Sequence, residues 1–292
     1  MFKKLALIIT VAAFFSLSLT ACIPGGFYNQ VTSKNISGSG EVITESRDVS
    51  NFERVDLQGI GNLEIVQGDE ESLTITADDN LMQYITTEVV GGTLEIGMKP
   101  NLSLDPSRTI EYKLVLKTVS SVALSGFGNI NSEGLTGDDL EVKLNGSGDI
   151  VLGSLESETL LVRISGFGDF DAQTITADKP TLEITGSGDI NVEQIDAVSL
   201  AVKISGFGDA DLSGKTVDQD VMLTGSGKYI ADDLESEDAT VKITGFGDAT
   251  VWAKNSLDIT ITGSGDVGYY GTPRITQTMT GFGKVNSLRE HK

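Results

Sequence analysis

The residues of this chain that could do chemistry stand in columns. A phrase, Gly-Phe-Gly or Gly-Ser-Gly, begins at Gly126, Gly146, Gly166, Gly186, Gly206, Gly225, Gly245, Gly263 and Gly281. Its middle residue alternates without exception: Phe127, Ser147, Phe167, Ser187, Phe207, Ser226, Phe246, Ser264, Phe282. The next residue after the phrase is Asn129, Asp149, Asp169, Asp189, Asp209, Lys228, Asp248, Asp266 and Lys284; the residue before it is always Ser, Thr or Asn. Rows of carboxylates suggest cation binding, and rows of aromatic rings suggest ligand stacking. Catalysis has less to work with. The single His, His291, stands next to the last residue, and the single Cys is Cys22. That excludes a Cys/His zinc site and disfavours a Ser-His-Asp triad. Gly263-Ser-Gly265-Asp-Val-Gly268 spells G-x-G-x-x-G, but no helix follows to bind a pyrophosphate. No cofactor is expected.

The elements that position these columns are strands. Leu, Val or Ile recur two, four and often six residues before the phrases, as in Leu160, Val162 and Ile164, and the apolar pattern resumes four and six residues after the first Gly, as in Ile150 and Leu152. A spacing of two excludes helix. A period near 20 residues predicts an all-β, single-domain parallel β-solenoid, each coil being two short strands joined at the Gly-x-Gly corner. Residues 119–292 read as regular coils. Residues 41–118 read as early coils and an N-terminal cap, with Ile60 in the Phe/Ser slot and one helical turn over Leu81–Ile85, capped by Asp79 or Asn80.

Stacking turns each column into a ladder. Neighbouring like charges destabilise each other, so Asp149, Asp169, Asp189 and Asp209 need water, opposite charge or a cation. Two readings compete: a turn column whose carboxylates bond nearby backbone N–H groups, and a calcium row. The first is preferred, because one carboxylate per coil falls short of the oxygens calcium requires. The Phe row also has two readings. Strict alternation points Phe127, Phe167, Phe207, Phe246 and Phe282 outward as a ligand-binding strip. A flip at the flanking glycines turns them inward, with Ser giving each ring room. The inward reading is preferred, because five exposed Phe would exceed the apolar patch a monomer usually tolerates.

The chain has 292 residues and a formal charge of −21. Such acidity repels nucleic acid and anionic headgroups. Residues 1–21 read as a signal peptide: Lys3 and Lys4, then an apolar run too short to span a membrane. Leu19-Thr20-Ala21-Cys22 resembles the bacterial lipoprotein box, which implies a lipid on Cys22; the plainer alternative is an ordinary signal peptide with a chance Cys. Ile23 and Pro24 follow, with no Asp for inner-membrane retention, so the resemblance implies the outer membrane in a diderm source. Residues 22–40, rich in Gly and polar residues, read as a tether, or alternatively as a loose first coil.

Further motifs carry a family resemblance: Asn51-Phe-Glu-Arg-Val-Asp-Leu, Gly61-Asn-Leu-Glu-Ile-Val-Gln-Gly-Asp-Glu, Gly91-Gly-Thr-Leu-Glu-Ile, then serial Ser-Gly-Phe-Gly-Asp and Thr-Gly-Ser-Gly-Asp. Over residues 50–268 the chain resembles the autotransporter-adhesin head domain called GIN, a domain of unknown function. The resemblance implies a right-handed parallel β-helix on the cell envelope and supplies no catalytic residues. Here the phrases run on to Phe282, and the last ends in Lys284 rather than Asp. The preferred function is a non-enzymatic envelope module that binds a glycan or an envelope protein. The alternatives are a polysaccharide-active β-helix enzyme and a structural spacer.

Overall fold

A computed structural model describes residues 34–288, all within one compact unit. Cys22, His291 and the segments 1–21 and 22–33 lie outside the described residues. The described chain is a β-solenoid. Six long strands, Ile150–Ile164, Phe170–Ile184, Ile190–Ile204, Ala210–Leu223, Tyr229–Ile243 and Ala249–Ile261, each pair in parallel with the next. Register advances by one repeat, so Ile150, Phe170, Ile190, Ala210, Tyr229, Ala249 and Val267 form one column. All seven are buried.

Each coil has a side that its sequence does not announce. Pairing between the first two long strands runs over residues 150–152, 154–157 and 159–164, skipping Gly153 and Glu158. The chain bends at both places, so a coil has three straight runs rather than two. The middle run sends one full apolar side chain inward in most coils, such as Leu155, Ile175, Ile195 or Leu234, all buried, while Gly214 takes that place in Ala210–Leu223. A single inward residue produces no alternation to read.

The N-terminal end is not stacked in chain order. Arg54–Leu57 pairs in parallel with both Thr93–Met98 and Ser121–Leu124, and Ile60–Gln67 with both Glu111–Leu116 and Phe127–Thr136. The first coil is therefore flanked on one side by chain that has doubled back. The strands outside it run antiparallel: Ile85–Val90 on Thr93–Met98, Ser72–Asp78 on Glu111–Leu116, and Val42–Arg47 on Ser72–Asp78. Lys34–Ser37, expected within the tether, is a strand paired with Leu102–Asp105. At the other end, Arg274–Met279 pairs with Ala249–Ile261 on one side, and all six of its residues are exposed.

The helical turn expected over Leu81–Ile85 is a 3-10 turn, Met82–Tyr84, with no side-chain cap. Its two candidate caps serve the neighbouring loop instead. The Asn80 amide donates to the Ser37 carbonyl at 2.9 Å and its oxygen accepts from the Ser39 N–H at 2.9 Å, while Asp79 accepts from the Ser39 hydroxyl. Beside them, buried Asp78 accepts from the Gly40 N–H at 2.8 Å, the Ser107 N–H at 2.9 Å and the Ser107 hydroxyl at 2.6 Å. One carboxylate thus ties three segments together.

Large and small residues do alternate in the core, but in the column Ala210, Tyr229, Ala249, where the Tyr ring lies between two methyl groups. The buried Tyr229 hydroxyl has no hydrogen-bond partner, nor do the amide oxygen and nitrogen of Gln219, which sits between Leu200 and Ala239 in its own column. Unpaired buried polar groups are costly.

Two predictions follow from these groups. Gln219→Leu, which restores the residue type of the preceding coil, should raise stability by about 1–3 kcal/mol, and Tyr229→Phe should not lower it; urea denaturation midpoints check both. For Asp78, the Ser107 hydroxyl above all holds the carboxyl below its ordinary range. Its folded pKa therefore lies under the unfolded value of about 3.9. The stabilisation is fully present above that value and is lost as pH falls through the folded pKa. On acidification below about pH 4, amides of residues 34–40 and 102–107 should lose hydrogen-exchange protection before those of the long coils. Simultaneous loss everywhere would place the acid-sensitive step elsewhere.

Candidate functional site: the Gly-x-Gly edge

The alternation of buried and exposed residues passes straight through the phrase. Ile164 is buried, Ser165 exposed, Gly166 buried, Phe167 exposed, Gly168 buried, and Phe170 buried. The glycines therefore occupy inward positions, and the reason is space. A Cβ on Gly166 would fall inside the carbonyl oxygen of Gly146, and one on Gly188 inside that of Gly168. Among the glycines of the nine phrases, only Gly148, at φ 140°, has a left-handed backbone. The flip that would have turned the Phe rings inward does not occur.

Each phrase is fastened to the one before it. The N–H of Phe167 donates to the Gly146 carbonyl at 3.1 Å, that of Ser187 to Gly166 at 3.1 Å, and that of Phe207 to Gly186 at 3.0 Å. The side chains between the glycines have nowhere to go but outward. Phe127 is 70% exposed, Phe167 78%, Phe207 74%, Phe246 75% and Phe282 92%. This corrects the expectation of packed rings. Only contiguous rings would make an apolar patch too large for a monomer. The five rings stand two coils apart, about 10 Å, with a Ser between each pair, so they form no continuous apolar patch. Below Phe127 the same column continues with half-buried Ile60.

The Asp column is a hydrogen-bond ladder. Asn129 accepts from the N–H of Asp149, Asp149 from that of Asp169, Asp169 from that of Asp189, and Asp189 from that of Asp209, at 2.7–3.0 Å. Asp209 accepts from the N–H of Lys228 at 2.7 Å, Asp248 from Asp266 at 2.8 Å, and Asp266 from Lys284 at 2.7 Å. The carbonyls of the same residues bond in the other direction, as where the Ile150 N–H donates to Asp169 at 2.9 Å. Each carboxylate thus closes a donor at a corner where the strand ladder is interrupted. The ladder breaks at Lys228, which has no acceptor to offer Asp248. Among the described residues no cluster of three or more His, Cys, Asp or Glu side chains is placed to hold a metal ion.

A third column lies three residues before the phrase. Here Glu183 stands between Arg163 and Lys203, with contacts of 2.9 and 3.0 Å. Partial burial pushes its carboxyl up, but hydrogen bonds from Lys203 and Arg163 outweigh this and hold it below its ordinary range. Sequence reasoning missed a depression where the cap meets the coils, lined by Glu64, Gln67, Glu111, Glu133, Val151 and Gln173. It joins the doubled-back chain to residues of four coils, so no column signals it. It offers carboxylates, amides and the Ser132 hydroxyl, which donates to the Gly134 carbonyl at 3.2 Å.

The ladder predicts an asymmetry between two substitutions. Asp169→Ala removes the acceptor for the Asp189 N–H and should cost about 1–2 kcal/mol. Asp169→Asn keeps an acceptor, as Asn129 does at the first rung, and should cost under about 0.5 kcal/mol. Denaturation midpoints with and without millimolar calcium make the check. A large calcium-dependent rise, lost in Asp169→Asn, would restore the cation reading.

The family description "Putative auto-transporter adhesin, head GIN domain" matches residues 51–174 and again 170–273. No curated protein matches the chain. Solved structures do. A "putative adhesin" from Parabacteroides merdae aligns at TM-score 0.67 and 23% identity, covering 87% of this chain and 99% of its own. A "putative lipid binding protein" from Parabacteroides distasonis aligns at TM-score 0.68 and 28% identity, covering 87% and 100%. A "putative adhesin" from Bacteroides fragilis aligns at TM-score 0.54 and 22% identity, covering 87% and 100%. Matched by one family description along most of its solenoid, the chain belongs to the head GIN domain family.

Proposed function

We propose that this chain is a non-enzymatic binding module of the cell envelope, held by a lipid on Cys22, whose adhesive surface is the edge carrying Phe127, Phe167, Phe207, Phe246 and Phe282. The observation that carries the reading is the exposure of all five rings on a backbone that cannot yield. A backbone held in place by the stacked glycines sets the spacing of the rings in advance, so that part of the ordering need not be done on binding. The carboxylates nearest the row are engaged with backbone N–H groups, which favours binding over acid-base chemistry. Membership of a family described by adhesion, and neighbours described as adhesins or a lipid-binding protein, point the same way.

The test separates binding from folding. Phe167→Ala with Phe207→Ala should leave the denaturation free energy within about 0.5 kcal/mol of the parent, as surface changes do. The same variant should abolish retention of beads coated with the 34–288 domain on bacterial envelope fragments. Unchanged retention would remove the Phe edge from the function. In the full chain, Cys22→Ser should release the protein from the membrane fraction and eliminate acyl labelling.

A further inference from the structure

We infer that the Phe edge is a track for an extended, uncharged β-1,4-linked glycan, with one ring meeting every second sugar. The inference rests on the binding reading above and names its ligand.

Rings recur every second coil, about 10 Å apart at the usual separation of paired strands. In an extended β-1,4-linked pyranose chain each sugar is turned over relative to the one before. The same face therefore returns at every second sugar, and that disaccharide repeat is close in length to two coils. From Phe127 to Phe282 there are four such steps, about 40 Å, long enough for several disaccharides in line.

The alternation also leaves the ring faces open. Aromatic residues in consecutive coils would stand at strand spacing and stack on one another, covering their faces. With Ser147, Ser187, Ser226 and Ser264 between them, the rings have no aromatic neighbour within a coil's rise. The electron-rich face of an aromatic ring attracts the polarised C–H groups that line one side of a pyranose. Polar partners flank the rings on both sides. Two residues before each ring runs the exposed Ser/Thr column with Ser165, Thr185 and Ser205. Two residues after it runs the Asp column, half-buried at Asp169, Asp189 and Asp209, whose Oδ1 atoms take the backbone N–H groups; the second oxygen of each carboxylate is the one a sugar hydroxyl would meet.

A chain of formal charge −21 repels a second copy of itself, a nucleic acid, an anionic headgroup and a glycan bearing uronates or sulfates. Isolated rings edged with carboxylates also suit a bilayer interior poorly, because the carboxylates would enter with the rings. An uncharged polymer with alternating apolar faces and hydroxyl edges meets neither objection.

The experiment is calorimetric titration of the mature domain with cellohexaose, chitohexaose and maltohexaose, the last α-1,4-linked and curved. Binding is expected to cellohexaose or chitohexaose, weaker by about tenfold or more for the matching disaccharide, which can meet only one ring. Maltohexaose should bind no better than the disaccharide. Phe167→Ala with Phe207→Ala should weaken hexasaccharide binding roughly tenfold or more, as loss of aromatic anchors does. Ser187→Phe should weaken it too, by filling the gap between Phe167 and Phe207, while the melting temperature holds. Absence of binding to both β-1,4 hexasaccharides, equal binding of maltohexaose, or indifference to the Phe changes overturns the inference. So does Phe-dependent dimerisation by light scattering, or Phe-dependent binding to phosphatidylcholine vesicles. If the glycans fail while retention on envelope fragments still requires Phe167 and Phe207, the adhesive edge stands and only the ligand is wrong; if both fail, the edge itself is not the site.

Discussion

Everything in this solenoid depends on how closely one corner can sit on the next. At the phrase, the peptide of each coil lies against the carbonyl of the coil before it, with no room for a Cβ on either glycine. The hydrogen bonds made there, as from Phe167 to Gly146, are part of the ladder that holds the coils in step. The in-out alternation is carried across the corner without a change of phase. The middle residue is then forced outward whatever its chemistry. Phe and Ser occupy equivalent places because the backbone sets their direction and the side chain has no part in it.

The same stacking that exposes the rings also assembles charge. Acids repeated at strand spacing should repel one another, yet the chain keeps Asp at four successive rungs from Asp149 to Asp209. The repulsion is offset locally, because each carboxylate accepts a backbone N–H that the bend would otherwise leave without a strand partner. Three columns away, on the other side of the phrase, Glu183 is held between Arg163 and Lys203 by opposite charge instead. Two columns that flank the phrase thus manage the same problem by different physics.

Much of the fold was legible because a solenoid writes its contacts as a period. Val162, Leu182 and Val202 sit one repeat apart in sequence and one strand apart in space. Legibility stopped where the period did. The middle run of each coil was missed because Leu155 or Ile175 is its one full apolar contact with the core. The order of the N-terminal strands was hidden because Arg54–Leu57 is paired on one side by a segment forty residues later and on the other by one nearly seventy residues later. The candidate site was half legible. Its residues were identified by alternation, but their direction was misjudged. The glycines were read as a licence for positive φ, whereas at these positions glycine answers a demand for space. The capping role expected of Asp79 and Asn80 failed for a related reason, since both side chains are taken up by the loop 37–40.

The alternation of Phe and Ser also constrains how a protein of this kind can change length. Adding one coil of about 20 residues keeps every backbone hydrogen bond and every inward column, so the fold itself would accept it. The outer edge would not, because a single added coil brings two Phe or two Ser into adjacent rungs and shifts the phase of every ring beyond the insertion. Only a pair of coils restores both. The heritable unit of this surface is therefore twice the unit of its fold, and a duplication or deletion neutral for the edge should carry two phrases together, one with Phe and one with Ser.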